Sequence, residues 1–303
     1  MTSNSSKRML NFILGRWVLT ALLCCHAVLA IPAFAARVVV DETGRKVTVP
    51  ERAQRIVCLT PSVTDTIFAL GAGAQVAAIT DYTVYPPEAL KKPSIGAILR
   101  PSLERIATMH PDLVIAIATL NDPETIRGIE HMGVPVFLVN QSGIAGLYRS
   151  VESIGQAIGR TSEARALVAR LRQRESRVRA EAERYPHPSV FFAVSVAPCI
   201  TAGHGAFLTE LLIAAGARPV TDSMPQEWIN ISLESVLPKR PQYILLLRDS
   251  PVTLKELQTR PGWRDMEAVR TGRVLRIDER LQYPSPVAFD ALEDFARQLH
   301  AAR

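Results

Sequence analysis

Two hydrophobic patterns alternate along the chain from about residue 55 onward. Short and almost continuous apolar runs are separated by segments in which apolar residues recur every three or four positions. The runs are typical of strands covered on both faces by helices, and the recurring pattern is typical of amphipathic helices. The predicted strands are 55–59, 76–80, 113–116, 134–139, 189–196, 243–247 and 273–277. This alternation predicts an α/β fold.

One short motif occurs twice at the same place in this pattern. Ser-Leu-Glu at 102–104 returns at 232–234, and each copy is followed at equal spacing by a proline, Pro111 or Pro241, that opens an apolar run. The correspondence extends over about 15 positions, which predicts two related halves. In each half we expect the serine to cap a helix and the glutamate to lie in its first turn.

A segment without glycine or proline lies between the halves. Residues 161–185 carry a narrow apolar stripe, which predicts one helix of about 24 residues, ~36 Å long. A coiled-coil partner helix is the alternative, but the pattern covers only about three heptads, so a connector packed along the fold is preferred. We therefore predict two Rossmann-like α/β lobes joined by a single long backbone helix, with a ligand cleft between the lobes at the strand ends. The expected divisions are a leader at 1–35, an N-terminal lobe at 36–160, the connecting helix at 161–186 and a C-terminal lobe at 187–303.

The first 35 residues have the features of a secretory signal peptide. Lys7 and Arg8 precede an apolar stretch of 14 residues at 17–30, and Ala33-Phe34-Ala35 fits a small-x-small cleavage pattern. The alternative is a membrane anchor, but the apolar stretch is shorter than the ~20 residues of a span. We expect cleavage before Ala36 and export to the periplasm.

The cysteines bear on anchoring and on redox state. Cys24 and Cys25 lack the small preceding residue of a lipid-anchoring site, so we expect a protein without a lipid anchor. Cys58 and Cys199 remain after cleavage, near the ends of predicted strands in different halves. We expect two separate buried thiols there, although an oxidising compartment permits a disulfide.

Charge gives no support to nucleic-acid binding. The leader holds three of the 35 basic residues and no acidic residue, so 32 basic and 29 acidic residues remain, a net charge of +3. Export also argues against a nucleic-acid partner. We expect a monomer.

Motifs of catalysis or of resident cofactors are absent from the sequence. There is no Gly-x-Ser-x-Gly, His-Glu-x-x-His or Cys-x-x-Cys, and Gly71-Ala72-Gly73 follows a predicted helix rather than a strand, as expected of a helix stop. We therefore expect no enzymatic activity, no cofactor and no bare-metal site.

The predicted strand-end loops instead carry aromatic and cationic side chains. Tyr82, Trp228 and Tyr283 are suited to stacking against a large planar ligand, and Arg100 and Arg248 to meeting an anionic group. His204, in a glycine-flanked loop, is either a ligand contact or a solvated residue. Each of these residues also has the simpler reading of an ordinary loop residue.

Four stretches together resemble the periplasmic vitamin B12 and ferric-siderophore binding proteins of ABC importers. They are residues 55–62, 80–88, 101–114 and 228–234, and the resemblance covers about residues 37–300. It implies two α/β lobes on a rigid helix, a ligand held between them and little closure. It also implies that Glu104 and Glu234 pair with arginines of the membrane permease. From spacing alone, each glutamate equally fits a first-turn residue that interacts with the helix dipole.

The resemblance also bears on the ligand. Tyr82 and Trp228 match aromatic positions of the cobalamin-binding relatives, whereas Ile98, Ile117 and Val194 are aliphatic where close cobalamin receptors are aromatic. Our hypothesis is a receptor that delivers a metal chelate, with a corrinoid favoured. A ferric-siderophore or haem receptor is the alternative within this fold. An exported α/β hydrolase, or a structural or signalling protein that has lost ligand binding, are the alternatives outside it.

Overall fold

Two parallel four-stranded sheets organise the computed structural model, which describes residues 36–301. The strands in chain order are β1 (Ala36–Val40), β2 (Lys46–Pro50), β3 (Ile56–Cys58), β4 (Val76–Ala78), β5 (Leu113–Ile117), β6 (Val136–Val139), β7 (Ser189–Ala193), β8 (Ser195–Val196), β9 (Cys199–Ala202), β10 (Arg218–Pro219), β11 (Trp228–Asn230), β12 (Tyr243–Leu247) and β13 (Val274–Ile277). The α-helices are α1 (Pro61–Ala69), α2 (Leu103–Thr108), α3 (Pro123–His131), α4 (Gly143–Ala157), α5 (Thr161–Ala182), α6 (Phe207–Ala214), α7 (Leu254–Thr259), α8 (Glu267–Arg270) and α9 (Ala288–Ala301).

The two parallel sheets have the same strand order. The order is β4-β3-β5-β6 in the first sheet and β10-β7-β12-β13 in the second. In each sheet the strand that comes first in the chain, β3 or β7, therefore lies second in the order. All neighbouring strands in these sheets are parallel. The α/β class and the two related lobes predicted from the sequence are thereby confirmed.

Alternate residues of the strands belong to different hydrophobic clusters. Ile115 of β5 and Leu245 of β12 lie in one continuous cluster that also includes residues of α1, α4, α5, α6 and α9. Their neighbours Val114 and Ile244 lie in two separate clusters on the opposite sheet faces. Because the inner faces of both sheets pack into the same helical layer, the lobes share one core.

The long connecting helix forms where it was expected. α5 has 22 residues and buries a narrow stripe of apolar side chains. Arg174 on its polar side binds Asp290 and Glu293 of α9, with distances of 2.6 and 2.8 Å between nitrogen and oxygen. The residues from Arg37 onward form one compact unit, and the domain boundaries at 160 and 186 remain predictions.

The second Ser-Leu-Glu motif differs from the expected helix. The first motif opens α2, whereas the second opens only a 3-10 turn, Leu233–Ser235. Pro238 occupies the position that Thr108 has in the first copy, and a proline cannot donate the backbone hydrogen bond that would extend an α-helix. Both serines nevertheless cap as predicted. Their hydroxyl oxygens accept from Arg105 N at 3.2 Å in α2 and from Glu234 N at 3.3 Å in the 3-10 turn.

Two small β elements accompany the parallel sheets. β9 forms a small antiparallel sheet with β8 and β11, and β1 and β2 form a two-stranded sheet at the start of the described fold. α1 begins at Pro61, because proline is favoured in the first turn of a helix, where its missing N–H is not needed.

The predicted signal peptide lies outside the described residues. Within residues 36–301, no helix combines the length and apolar character needed to cross a membrane.

Candidate functional site

The N-terminal wall of the candidate site consists of loops that follow β4 and β5. Tyr82, after β4, is 60% exposed. Its loop is fixed to the loop that carries Arg100, because Asp81 N donates to Gly96 O at 3.0 Å. Asn121 joins the third loop by donating to Ile98 O at 3.1 Å. The described structure therefore holds Tyr82 and exposed Arg100 on one connected surface.

The opposite wall is built on the small antiparallel sheet. Trp228 begins β11, pairs with Ala202 of β9, and is 45% exposed. His204 follows β9, and its Nδ1 lies 3.1 Å from Asp222 Oδ1. The sheet thus places Trp228, at the start of β11, beside the loop that carries His204, and the Asp222 carboxylate orients the imidazole.

A charged group lies at the ends of β12 and β13. Arg280 binds Asp278 at 2.8 Å, and Arg248 lies 3.4 Å from the same carboxylate. The hydrogen bond from Arg280 is the main cause that lowers the pKa of Asp278. Tyr283 is 38% exposed, and its pKa is raised by burial and by Asp249 and Glu279. The single carboxylate of Asp278 therefore offsets one of the two positive charges of these arginines.

Buried polar side chains lie beneath the N-terminal loops. Ser62 donates to Gln141 Oε1 at 2.6 Å, and the Gln141 amide nitrogen has no partner within the described residues. The hydroxyls of Thr80 and Thr83, after β4, are buried and also without a partner there. Sequence reasoning missed this group, because serine and threonine at strand ends equally suggest helix caps and turns.

One buried carboxyl lies between the lobes. Asp65 of α1 is 6% exposed, beside the fully buried Ser285 that precedes α9. Neither Asp65 Oδ1 nor the Ser285 hydroxyl has a hydrogen bond of good geometry in the described structure. Burial raises the pKa of Asp65 to about 7, although Ser285 and Arg280 act in the opposite direction.

Exposed aliphatic residues extend the N-terminal wall beyond the expected aromatics. Val84, Leu99 and Leu120 are large hydrophobic residues with exposed side chains on the same three loops. In the sequence, these three residues could have been recognised as apolar residues inside polar or proline-rich loops. Ile117, in contrast, is buried in the shared core and so does not line this surface.

The two glutamates of the repeated motif, Glu104 and Glu234, are both exposed. Within residues 36–301, neither the Glu104 nor the Glu234 carboxylate takes part in an ion pair. The preceding leucine packs against a glycine in both lobes. A Cβ added to Gly128 would lie 2.8 Å from Leu103 Cδ1, and one added to Gly262 would lie 2.9 Å from Leu233 Cδ1. The turn that carries the glutamate is therefore packed against a glycine in the same way in both lobes.

Cys58 and Cys199 are free and buried, as predicted, and burial raises their pKa values to about 12 and about 11. Within the described part of the chain, no group of three or more His, Cys, Asp or Glu residues is arranged to hold a metal ion.

Comparison with known proteins gives the family. The sequence profile described as "Periplasmic binding protein" matches residues 56–281, which is more than half of the chain. This chain belongs to the periplasmic binding protein family. The family expected from the sequence is therefore confirmed.

The relatives of this binding protein match over most of their length. An uncharacterized ABC transporter substrate-binding lipoprotein of Bacillus subtilis is 28% identical, over 86% of this chain and 84% of the relative. The apo structure of a periplasmic haem-binding protein from Roseiflexus sp. RS-1 has a TM-score of 0.75 and 28% identity, covering 82% of this chain and 99% of that one. The periplasmic vitamin B12-binding protein of Vibrio cholerae has a TM-score of 0.71 and 24% identity, covering 82% and 98%. The two-lobe fold is common to all these solved structures.

Proposed function

We propose that this binding protein is the substrate-binding component of an ABC importer and carries a metal chelate, with a corrinoid favoured. The observation that carries the proposal is the exposure of three aromatic side chains, Tyr82 and Tyr283 on strand-end loops and Trp228 at the start of β11. When a large exposed aromatic side chain stacks against a planar ligand, apolar surface is removed from water, which favours binding. Relatives whose names state vitamin B12 binding support this choice.

The charges of the site favour a ligand with little net negative charge. Arg248 and Arg280 already share Asp278, so among the proposed contacts only Arg100 lacks an ion-pair partner in the described structure. A catecholate or carboxylate siderophore would need several converging arginines to offset its charge. A ferric siderophore is therefore the weaker alternative.

Haem is the second candidate, on a specific observation. His204 is exposed, and its Nδ1 faces Asp222, an arrangement in which the other ring nitrogen is left to bind iron. The similarity to a haem-binding protein at 28% identity supports the same candidate. The iron would belong to the transported ligand, and His204 would coordinate it.

Docking to the permease is assigned to Glu104 and Glu234. Both are exposed and unpaired within the described residues, one on each lobe, and the lobes share one hydrophobic core. Two such carboxylates would set the register of the complex with arginines of the permease. The protein would act as a monomer in the periplasm after removal of the leader, without a lipid anchor and without catalysing a reaction.

Equilibrium titration tests the ligand. Purified protein is titrated with cyanocobalamin, haemin and a ferric siderophore, and we expect cyanocobalamin to bind most tightly. Preference for haemin would establish the second candidate. If no chelate binds below ~100 μM, the receptor function is wrong, because a scavenging receptor needs far better than millimolar affinity. The absorbance of protein purified from cells fed each chelate gives an independent readout.

A further inference from the structure

The start of α4 is hydrogen-bonded to two carboxylates from the C-terminal half of the chain. The N-terminal N–H groups of a helix need acceptors, which the preceding residue usually supplies. Ser142 precedes α4, but its side chain makes no capping bond. Instead, Ile144 N donates to Glu210 Oε2 at 2.6 Å, and the Ser142 hydroxyl donates to Glu227 Oε1. Glu210 and Glu227 both belong to the C-terminal half of the chain.

Other helices of the N-terminal half do not show this arrangement. α2 and α3 are capped by the residues that immediately precede them, Ser102 and Asp122. The C-terminal helix α7 is likewise capped by its own Thr253. The capping of α4 across the lobe boundary therefore adds a connection between lobes that a local cap would not provide.

The backbone at the start of α4 is fitted to this carboxylate. Gly143 has φ of +64°, a conformation that favours glycine, and a Cβ there would lie 2.7 Å from Glu210 Oε1. Any larger residue would displace the carboxylate. The position thus depends on glycine for both its conformation and the close approach of Glu210.

Glu227 also connects this turn to the ligand loops. It directly precedes Trp228, and its backbone oxygen accepts from Gly203 N at 2.9 Å. Gly203 in turn precedes His204. The residue that binds Ser142 in one lobe therefore fixes the backbone of both candidate ligand contacts in the other.

We propose that Glu210 and Glu227 are positioning residues, which fix the opening between the lobes and hold Trp228 in place for the ligand. The two carboxylates act through the N-terminus of α4, where the helix dipole favours negative charge. The part that concerns Trp228 rests on the proposed ligand cleft, whereas the fixed opening does not.

The opening is measured without any ligand. Spin labels at His131→Cys and Lys255→Cys, one exposed site in each half, report the distance between lobes by double electron–electron resonance, and the native Cys58 and Cys199 of the described residues are buried. We expect one narrow distance peak in the parent protein and loss of that peak in the Glu210→Ala/Glu227→Ala variant. Glu130→Ala is the matched control, because Glu130 binds Arg45 within the N-terminal half. An unchanged peak in the double variant would overturn the proposal.

Ligand affinity gives the second readout, with cyanocobalamin as the probe. Glu227→Ala should bind it about tenfold more weakly, the size expected from the loss of a hydrogen bond to a charged group. Glu227→Gln keeps an acceptor oxygen and should restore most of the affinity. Ser142→Ala should add little to Glu227→Ala, because both remove the same bond, and additive losses would contradict the proposal. If cyanocobalamin does not bind the parent protein, the ligand assignment is wrong, and the distance measurement alone decides the positioning role.

Should an alanine variant fold poorly, Glu210→Asp/Glu227→Asp replaces it in the distance measurement. The aspartates keep the charge, but their side chains are one methylene shorter and so withdraw the carboxylate oxygens from Ile144 N and the Ser142 hydroxyl. A broader peak in this folded variant supports the proposal, and a peak as narrow as that of the parent counts against it.

Discussion

His110 and Arg240 share one left-handed backbone conformation, with φ of 44° and 45°. Each ends the segment that begins with Ser-Leu-Glu, and each precedes the proline that leads into a central strand, β5 or β12. The following residues also match in role, since Asp112 and Gln242 accept from backbone N–H groups beside the neighbouring strand. The two halves therefore keep the same chain reversal although one contains an α-helix and the other 3-10 turns.

The shared conformation predicts how these positions tolerate substitution. His110→Val should lower the free energy of unfolding by about 1–2 kcal/mol, because a β-branched residue is strained at positive φ. His110→Gly should not destabilise the protein to this extent. Urea denaturation measures both. His131→Val, in the last turn of α3, is the control with helical φ, and equal losses at His110 and His131 would refute the explanation by strain.

Charge reversal tests the two motif glutamates. Glu104→Arg combined with Glu234→Arg should abolish uptake while leaving ligand affinity in solution unchanged, because interface charges set register and association rate. Uptake by a complemented strain and titration of the purified variant give the two measurements. Glu88→Arg with Glu183→Arg changes the charge equally at other exposed sites and should preserve uptake. Normal uptake in the first variant would leave these glutamates with only their role in the helix turns.

The buried carboxyl of Asp65 predicts a pH dependence of stability. Because burial raises its pKa to about 7, the folded state keeps the proton at pH values where the unfolded state has lost it. The contribution of Asp65 to the free energy of unfolding should therefore fall as pH rises from about 4 to 7, and stay constant above. Asp65→Asn should be more stable than the parent at pH 8, by up to about 4 kcal/mol, with the difference vanishing at pH 4.

Asp41 provides a control of opposite sign. Burial opposes its ionisation, but hydrogen bonds from Thr43 and Arg45 outweigh that effect and lower the pKa of Asp41. The stability it contributes is present above the unfolded pKa of about 4 and is lost as pH falls through the folded value. Asp41→Asn should thus be less stable than the parent at pH 7. Parallel pH profiles for the two variants would contradict both assignments.

The two tryptophans of the described fold should respond oppositely to truncation. Trp228→Ala, at an exposed position, should weaken cyanocobalamin binding about ten- to hundredfold with little change in unfolding, because a stacked aromatic contact is lost. Trp263→Ala should destabilise the fold by about 3–5 kcal/mol, because Trp263 is only 2% exposed in the outer cluster of the C-terminal sheet. Titration and urea denaturation separate the two effects. Retained affinity in Trp228→Ala would remove Trp228 from the ligand site.

The sequence was sufficient for features that depend on local pattern. Apolar runs covered on both sides predicted the parallel strands, and the absence of glycine and proline predicted α5. Ser102 and Ser232 cap as expected, because a cap uses only residues two or three positions away. The repeat did not predict that the second copy forms 3-10 turns in place of an α-helix, and Pro238 lies in the second of these turns.

Features that depend on distant partners were not predictable in the same way. Ser62 suggests a cap by its type, but in the fold it donates to Gln141, a residue 79 positions away. Glu210 and Glu227 give no local signal at all, because Ile144 N and the Ser142 hydroxyl, which donate to them, lie in the other half of the chain. The hydrogen-bond partner of such a side chain can be identified only when the contacts between the two halves are known.

The continuous core between the sheets also limits how such a protein can change over evolution. Either half alone would expose the face that packs into the common helical layer, and an exposed apolar face of that size promotes aggregation. Exchange of whole lobes between relatives would have to preserve both sides of that layer, whereas the strand-end loops can vary without touching it. New ligand preferences are therefore expected to arise by substitution in the loops, with the paired scaffold inherited intact.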